Sequence, residues 1–163
     1  MQRPSFQSAW ASFMAVRLSV KAVGKKIGGR VQENIELPVG GFENACPIRM
    51  SYVLNKTGFP IPKSSRYAMV SGGDRMQYIY RVRDMMRYLD DSFGAPDKNA
   101  SAPTPDDFKH MQGIVVIKGH GWGNASGHVT LWDGTLCADS CHLLGDPDNG
   151  SFVPESGALW VLP

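Results

Sequence analysis

The stretch HVTLWDGTLCAD, residues 128–139, has the pattern of a β-hairpin, with two short apolar runs joined by Asp133-Gly134. Asp-Gly between such runs favours a two-residue turn, and a turn of that length fixes which residues face each other. The register then predicts that His128 lies directly opposite Asp139. Since opposed side chains share a face with Cβ atoms roughly 4.5–5.5 Å apart, Asp139 can accept a hydrogen bond from one imidazole nitrogen. The other nitrogen is left free to act as a base.

Other strand-like runs surround this hairpin. Together the predicted strands are GIVVIK (113–118), HVTLW (128–132), TLCAD (135–139) and ALWVLP (158–163). Helical patterns occupy the upstream part of the chain, and helices followed by antiparallel strands are typical of the α+β class. The stretch at 94–107 is rich in Pro, Ala, Ser and Asp and predicts an irregular surface loop. With 163 residues, the chain is expected to form one domain, 1–163.

Three helices are predicted upstream from apolar residues at helical spacing. The first follows Phe6, Trp10, Phe13, Met14 and Arg17 in the N-terminal arm. The second has Pro47 at its first helical position, which places Cys46 at or next to the N-cap, and Gly58 stops it. The third lies between Asp74 and Gly94, with its apolar stripe at Met76, Ile79, Val82, Met86, Leu89 and Phe93.

Cys46 permits two interpretations. A lone cysteine is most often a small buried residue without chemistry. A helix N-terminus and a nearby imidazolium, however, both stabilise the thiolate, which is the reactive form. Cysteine at a helix start, histidine on a downstream strand and a polar group that orients it form the arrangement of papain-like hydrolases. The pattern therefore favours Cys46 as nucleophile, His128 as base and Asp139 as orienting acid.

Composition argues against several other classes of function. The charge balance of 17 basic and 15 acidic residues offers no general attraction for nucleic acid. No run approaches the roughly 20 apolar residues of a membrane span, so membrane insertion is not expected. The N-terminus also lacks the apolar core and cleavage site of a signal peptide.

The motifs NACPIRMSYVLNKTG (44–58) and GHGWGNASGHVTLWDGTLCADSCH (119–142) resemble the type VI secretion amidase effectors of the fourth family. These are peptidoglycan amidases related to NlpC-type papain-like hydrolases. The resemblance covers nearly the whole chain and implies a papain-like α+β fold, with N-terminal helices packed on a small antiparallel sheet. Carried over by position, the family's nucleophile, base and acid fall on Cys46, His128 and Asp139.

The resemblance also implies a biological role. It implies an antibacterial toxin, made in the cytoplasm and delivered by a component of the secretion tube to the periplasm of a competing Gram-negative cell. There it would hydrolyse the amide between γ-D-glutamate and meso-diaminopimelate in peptidoglycan stem peptides, through a thioester and without metal or organic cofactor. A cognate immunity protein would block the cleft.

Cys137, Cys141 and His142 form a second group that could carry chemistry. The spacing of CADSCH does not fit haem attachment, which needs two residues between the cysteines. Zinc lacks an evident fourth ligand. Because the implied delivery route ends in an oxidising compartment, we expect a disulfide between Cys137 and Cys141 in preference to zinc or free thiols.

The segment 119–127 is a poor phosphate-binding loop, since no lysine follows its glycines. It is expected to form the cleft wall beside His128, where Trp122 and Gly127 are candidate substrate-binding residues, although Trp122 could equally serve packing. His110 and His142 are expected to be ordinary surface residues, and His120 is undecided. Two further functions stay open: a cysteine hydrolase or acyltransferase of other specificity, and a non-enzymatic module that binds the wall or a partner.

Overall fold

A four-stranded antiparallel sheet organises the part of the chain that the computed structural model describes, residues 2–123 and 125–163. Its strands are β3 (Lys98–Ser101), β4 (Gly113–His120), β5 (Gly127–Trp132) and β6 (Val153–Val161), in the spatial order β3-β6-β4-β5. A separate hairpin pairs β1 (Met69–Ser71) with β2 (Gln77–Ile79). The helices are α1 (Phe6–Val16), α2 (Val20–Ile27), α3 (Gly29–Ile35), α4 (Cys46–Lys56) and α5 (Val82–Phe93).

The first two predicted helices are present. Ser5 caps α1 by accepting a hydrogen bond from the Ser8 N–H, and the helix buries Ala9 and Phe13. α4 begins at Cys46 with Pro47 as its second residue, where a missing N–H costs nothing because the first turn has no intrahelical acceptors. Both helices pack against each other and into the main core, which fixes the start of α4 at one end of the sheet.

The third predicted helix is wrong in its first half. Residues 77–79 form β2, and α5 begins only at Val82. The N–H of Ile79 donates to the Ser51 hydroxyl of α4 at 2.9 Å, while Tyr78 packs with α2 and α3. Met76 and Ile79 matched a helical stripe by their spacing, but pairing with β1 and packing on other helices decide their conformation.

The predicted loop at 94–107 is also wrong in part. Residues Lys98–Ser101 form β3, which pairs with β6, and Pro105–Phe108 form a 3₁₀ turn. Thr104 and Asp107 cap that turn reciprocally. The polar composition of the stretch is explained because β3 is an edge strand, which needs polar side chains on its open side.

The central strands are buried on both faces, which explains the uninterrupted apolar run of β4. Val116, Val129 and Trp160 lie among the buried residues packed with the helices. Val115, Trp132 and Leu159 lie in a second cluster with Phe108, Leu143 and Phe152. The sheet is therefore a middle layer, and the site forms where its edge strand β5 meets α4.

The predicted hairpin register is wrong by two residues. Trp132 pairs with Cys137, so Asp133–Leu136 form a four-residue loop in place of a two-residue turn. Asp133 Oδ1 accepts hydrogen bonds from the N–H groups of Thr135 and Leu136, which explains the wider loop. Beyond the single bridge at Cys137, residues 135–139 are not a strand.

Within the described residues, no helix is both long and apolar enough to cross a membrane.

Candidate active site

Cys46 stands at the N-terminus of α4 with its side chain in the core. It is the first helical residue and is 1% exposed. Its N–H donates to Oδ1 of Asn44 at 3.1 Å, so the side chain of Asn44 serves as a local cap. The thiol therefore lies where unpaired N–H groups and the helix dipole stabilise negative charge.

His128 joins the predicted nucleophile to the predicted acid. Its Nε2 lies 3.0 Å from Oδ1 of Asp139, and the side chain of Cys46 lies near enough to raise its pKa. Since Nε2 is used by Asp139, Nδ1 is the nitrogen that serves Cys46. The structure thus brings together Cys46, His128 and Asp139, as the sequence predicted. The contact survives the register error because the bridge at Cys137 places Asp139 opposite Thr130, and a residue two positions from the opposed one is still within side-chain reach.

The charges of this group support one another. Burial alone would lower the pKa of His128, but the hydrogen bonds and negative charges of Asp139 and Cys46 raise it to about 10. Burial alone would raise the pKa of Asp139, whereas its hydrogen bond and ionic contact with His128 hold it below the usual carboxyl value of 3.8. The arrangement favours an imidazolium beside an ionised carboxylate.

His142 belongs to the site, and the expectation of an ordinary surface histidine is wrong. Its ring meets the ring of His128 edge-on, with centroids 4.8 Å apart. Its Nδ1 lies 3.1 Å from Oδ1 of Asn149, whose amide group in turn donates to the Leu143 carbonyl. Asn149 therefore presents an oxygen to His142, which fixes the Nδ1–H tautomer and leaves Nε2 as an acceptor.

Burial and the positive charge of His128 both lower the pKa of His142. A neutral His142 next to a charged His128 avoids repulsion between two imidazolium ions. The sequence carried one weak signal for this role, since His142 directly follows Cys141. Its direction depends on a backbone with φ of +61°, which spacing alone does not reveal.

The two tentative substrate-binding residues lie beside the triad in different ways. Trp122 stacks on Phe152 with centroids 4.0 Å apart, and its indole N–H donates to the Asn149 carbonyl at 3.2 Å. It is half-buried and lines a cavity next to His128. Gly127 pairs with β4 so closely that a Cβ would stand 2.3 Å from the Ile117 oxygen. Glycine at this position permits strand pairing, and its contact with substrate stays a prediction.

Three cavities adjoin the site and share residues with one another. The central one, of about 270 Å³, is lined by Glu43, Asn44, Trp122, Ala125, His128 and His142. A second, of about 290 Å³, continues past the two histidines and is lined by Arg17, Leu18, Arg49, His128, Asp139, Ser140 and His142. A third continues past Asn44 and Ala125 towards the exposed Arg81 and Arg83. The shared residues make the three cavities neighbours along a groove that passes His128 and Asp139, and Cys46, which is 1% exposed, is not among the lining residues.

The remaining predicted groups are also placed. Cys137 and Cys141 form a disulfide, so neither sulfur is available as a zinc ligand. His120 is exposed and paired with Glu155, and His110 is exposed in a turn with φ of +65°. Within the described residues, no group of three or more histidine, cysteine or acidic side chains could hold a metal ion.

Residues 42–151 match the family model of the type VI secretion system amidase effector protein 4. Solved structures of this kind match over essentially the full length. The effector Tae4 from Salmonella typhimurium, in complex with the immunity protein Tai4 from Enterobacter cloacae, is 60% identical, with 99% of this chain and 100% of that chain covered and a TM-score of 0.94.

Two structures from Enterobacter cloacae are also similar over the full length. In its Tae4–Tai4 effector–immunity complex the match is 51% identical, with 99% of this chain and 100% of that chain covered and a TM-score of 0.95. The effector Tae4 alone is 49% identical, with full coverage of both chains and a TM-score of 0.91. No curated protein matches the chain significantly.

Proposed function

Because the chain belongs to the family of type VI secretion system amidase effector protein 4, it is a peptidoglycan amidase with an NlpC-type papain-like fold, and we propose that Cys46, His128 and Asp139 are its catalytic residues. We infer further that it hydrolyses the amide between γ-D-glutamate and meso-diaminopimelate in stem peptides. The whole of 1–163 would then act as one catalytic domain.

One observation carries this proposal. A buried histidine lies between a cysteine at a helix N-terminus and a carboxylate, with Nε2 bonded to Asp139 Oδ1 at 3.0 Å and the side chain of Cys46 near enough to raise the pKa of the imidazole. A structural cysteine needs no such neighbours. A nucleophile needs both, because the base must face the sulfur and the acid must hold the imidazole in the tautomer that can exchange a proton with it.

The reaction follows from these positions. The imidazolium of His128 carries the proton taken from Cys46, and the resulting thiolate attacks the carbonyl carbon of the scissile amide. The imidazolium then gives its proton to the departing amine, the carbon–nitrogen bond breaks, and a thioester remains on Cys46. Water deprotonated by His128 attacks the thioester, which releases the carboxylic acid product and restores the thiol.

The oxyanion of the tetrahedral intermediate needs hydrogen-bond donors, and a suitable donor at the helix start already has a partner when no substrate is bound. The N–H of Cys46 is the natural donor at the helix start, but Oδ1 of Asn44 accepts it at 3.1 Å. We propose that Asn44 turns away when substrate binds, which frees this N–H. A rotated amide can offer its own NH₂ group to the oxyanion, so Asn44 would contribute a second donor.

The comparisons also support a partner and a route. Relatives that match over the full length are effectors found in complex with Tai4 immunity proteins. We propose that a cognate immunity protein of this chain occludes the groove around Cys46 and His128. A component of the secretion tube would deliver the effector from the cytoplasm of the producing cell to the periplasm of a Gram-negative target.

Digestion of purified Gram-negative peptidoglycan, followed by mass spectrometry of the fragments, tests the proposed bond. New termini at D-glutamate and at the amine of diaminopimelate are the expected result. Cleavage at another bond, or transfer of the acyl group to an added amine in place of water, would show a cysteine enzyme of different specificity. Binding without any cleavage would instead show a non-enzymatic module.

Expression in two compartments tests the proposed target. The protein should lyse cells when a periplasmic export signal is attached and should be nearly harmless in the cytoplasm, because its substrate lies outside the inner membrane. Co-export of the immunity protein should suppress lysis. Equal killing from the cytoplasm would contradict a target in the cell wall.

A further inference from the structure

Arg49 lies next to the nucleophile on the same helix. It is three residues after Cys46 in α4, and residues three apart in a helix lie on one face with roughly 5–6 Å between their Cβ atoms. Arg49 lines the cavity that His128, Asp139 and His142 also line. Its guanidinium therefore reaches a part of the groove close to the scissile bond.

The guanidinium is held in place by the backbone. Its Nε donates to the Val16 carbonyl at 3.0 Å and one terminal nitrogen donates to the Leu18 carbonyl at 2.7 Å. These two bonds use part of its fork of five N–H donors, so further N–H groups remain for a ligand. An arginine fixed in this way loses little conformational freedom when it binds an anion, which favours recognition.

The charges that line this cavity favour an anion. Arg17 and Arg49 are positive, and the raised pKa of His128 makes it positive as well. Asp139 is the negative group, and its hydrogen bond to His128 already engages its Oδ1. The positive charge of Arg49 is among the influences that lower the pKa of Asp139, which shows that its field reaches the triad.

We infer that Arg49 is a specificity-determining residue that binds a carboxylate of the substrate, namely the free α-carboxylate of the γ-D-glutamyl residue on the acyl side of the scissile amide. This inference rests on the proposed substrate. In a γ-glutamyl amide, two methylene groups and the α-carbon separate that carboxylate from the scissile carbonyl, a short span that matches one helical turn between Cys46 and Arg49. Arg81 and Arg83, at the other end of the groove, are exposed and suit a more distant anion.

Two synthetic stem peptides that differ at one group provide the test. One carries D-glutamate with a free α-carboxylate, and the other carries D-isoglutamine, in which a carboxamide replaces that carboxylate. Wild-type protein should cleave the carboxylate form with a kcat/KM on the order of 10–100-fold higher, as expected for a charge-assisted arginine contact. Arg49→Gln should bring the ratio of the two close to one, and Arg49→Lys should give an intermediate ratio.

The ratio of kcat/KM for the two peptides distinguishes recognition of the carboxylate by Arg49 from a structural role of Arg49. Loss of the bonds to Val16 and Leu18 would slow cleavage of both peptides equally and leave their ratio unchanged. Arg3 is a matched control, because it also donates to two backbone carbonyls, those of Phe93 and Val161, and it does not line these cavities. Arg3→Gln should keep the wild-type ratio.

Equal cleavage of both peptides by wild-type protein would overturn the inference while leaving the proposed amidase intact. A preference for the carboxylate peptide that persists in Arg49→Gln would overturn the inference as well. In a third peptide, the free carboxylate of diaminopimelate is replaced by a carboxamide. If Arg49→Gln removed the preference for the diaminopimelate carboxylate and not the preference for the D-glutamate carboxylate, Arg49 would contact the amine side of the scissile bond. That result would refute the assignment. Cleavage of none of the peptides would contradict the proposed function itself.

Discussion

The two partners of His128 are held in place in different ways. Cys46 begins a regular helix whose residues fill the core, so backbone hydrogen bonds and packing fix the nucleophile. Asp139 lies on an irregular segment, residues 133–146. A bridge at Cys137, the Cys137–Cys141 disulfide and burial of Ala138 and Leu143 hold this segment in place. The comparison teaches that the proposed nucleophile is positioned by a regular helix, while the proposed acid is positioned by an irregular segment with fewer backbone hydrogen bonds.

The largest loss of activity is expected when Cys46, at the start of α4, is replaced. Cys46→Ala should abolish hydrolysis and lysis after export, because no other group can form the thioester. The helix should persist, since loss of one buried sulfur costs on the order of 1 kcal/mol. Circular dichroism and a thermal melt check the fold, and a peptidoglycan digest checks activity. Full turnover by a folded Cys46→Ala protein would refute the triad.

Asp139→Asn is expected to have the next largest effect. Without the negative charge, His128 is less basic and its tautomer is less well fixed, so kcat should fall by on the order of 10²–10³-fold. His128→Ala should be worse, since it removes the base itself. Steady-state kinetics of the two variants on the same peptide give the comparison. Unchanged activity in Asp139→Ala would mean that the segment 133–146 contributes nothing to the chemistry.

Asn44→Asp changes the residue that contacts the Cys46 N–H and should have a smaller effect on kcat. A carboxylate can still accept the N–H of Cys46 but cannot donate to an oxyanion, so kcat should fall on the order of 10–100-fold with a smaller change in KM. Asn44→Gln, which retains the amide, should recover part of the rate. If Asn44→Ala were as active as wild type, the side chain would be only a cap.

Removal of the Cys137–Cys141 disulfide tests how strongly the position of Asp139 in segment 133–146 depends on this bond. The bridge closes a short loop, so Cys137→Ser with Cys141→Ser should cost about 2 kcal/mol of unfolding free energy in the chain-entropy account. Activity should fall by roughly the few-fold typical of a loosened supporting residue. Urea unfolding and kinetics measure both, and amide hydrogen exchange should rise in 133–146 while α4 stays protected. Equal loss of protection in α4 would break the contrast between the two regions.

The smallest effect concerns acid stability. The folded pKa of Asp139 lies below its unfolded value near 3.8, so its ionised form stabilises the fold above pH 4, and that stabilisation is lost as the pH falls through the folded pKa. Wild-type protein should therefore lose stability more steeply than Asp139→Asn as the pH falls below about 5 and on through the folded pKa of Asp139. Urea unfolding across that range measures the difference. Parallel curves would show that Asp139 gains nothing from His128 in the folded state.

The parts of the candidate site that were predicted are those that follow from local sequence patterns or from the resemblance to the amidase effector family. The start of α4 at Cys46 and the strand with His128 follow from periodicity and from Pro47. His142 could not be predicted, because its ring reaches His128 only through a backbone turn with positive φ and a tautomer set by Asn149. The contact of Asn44 with the Cys46 N–H was not predicted either, and the role proposed for Asn44 rests on that hydrogen bond alone.

The sequence by itself determined the α+β class, the helices α1 and α4, the buried strands β4 and β5, and the face of β5 on which His128 lies. These depend on spacing along the chain, and burial imposes that spacing directly. Only the tertiary structure decided that residues 77–79 form a strand, that β3 pairs with β6, and that Trp132 faces Cys137. Those outcomes depend on partners distant in sequence and on side-chain hydrogen bonds within a turn. Their energies exist only once the chain has folded, so no local pattern encodes them.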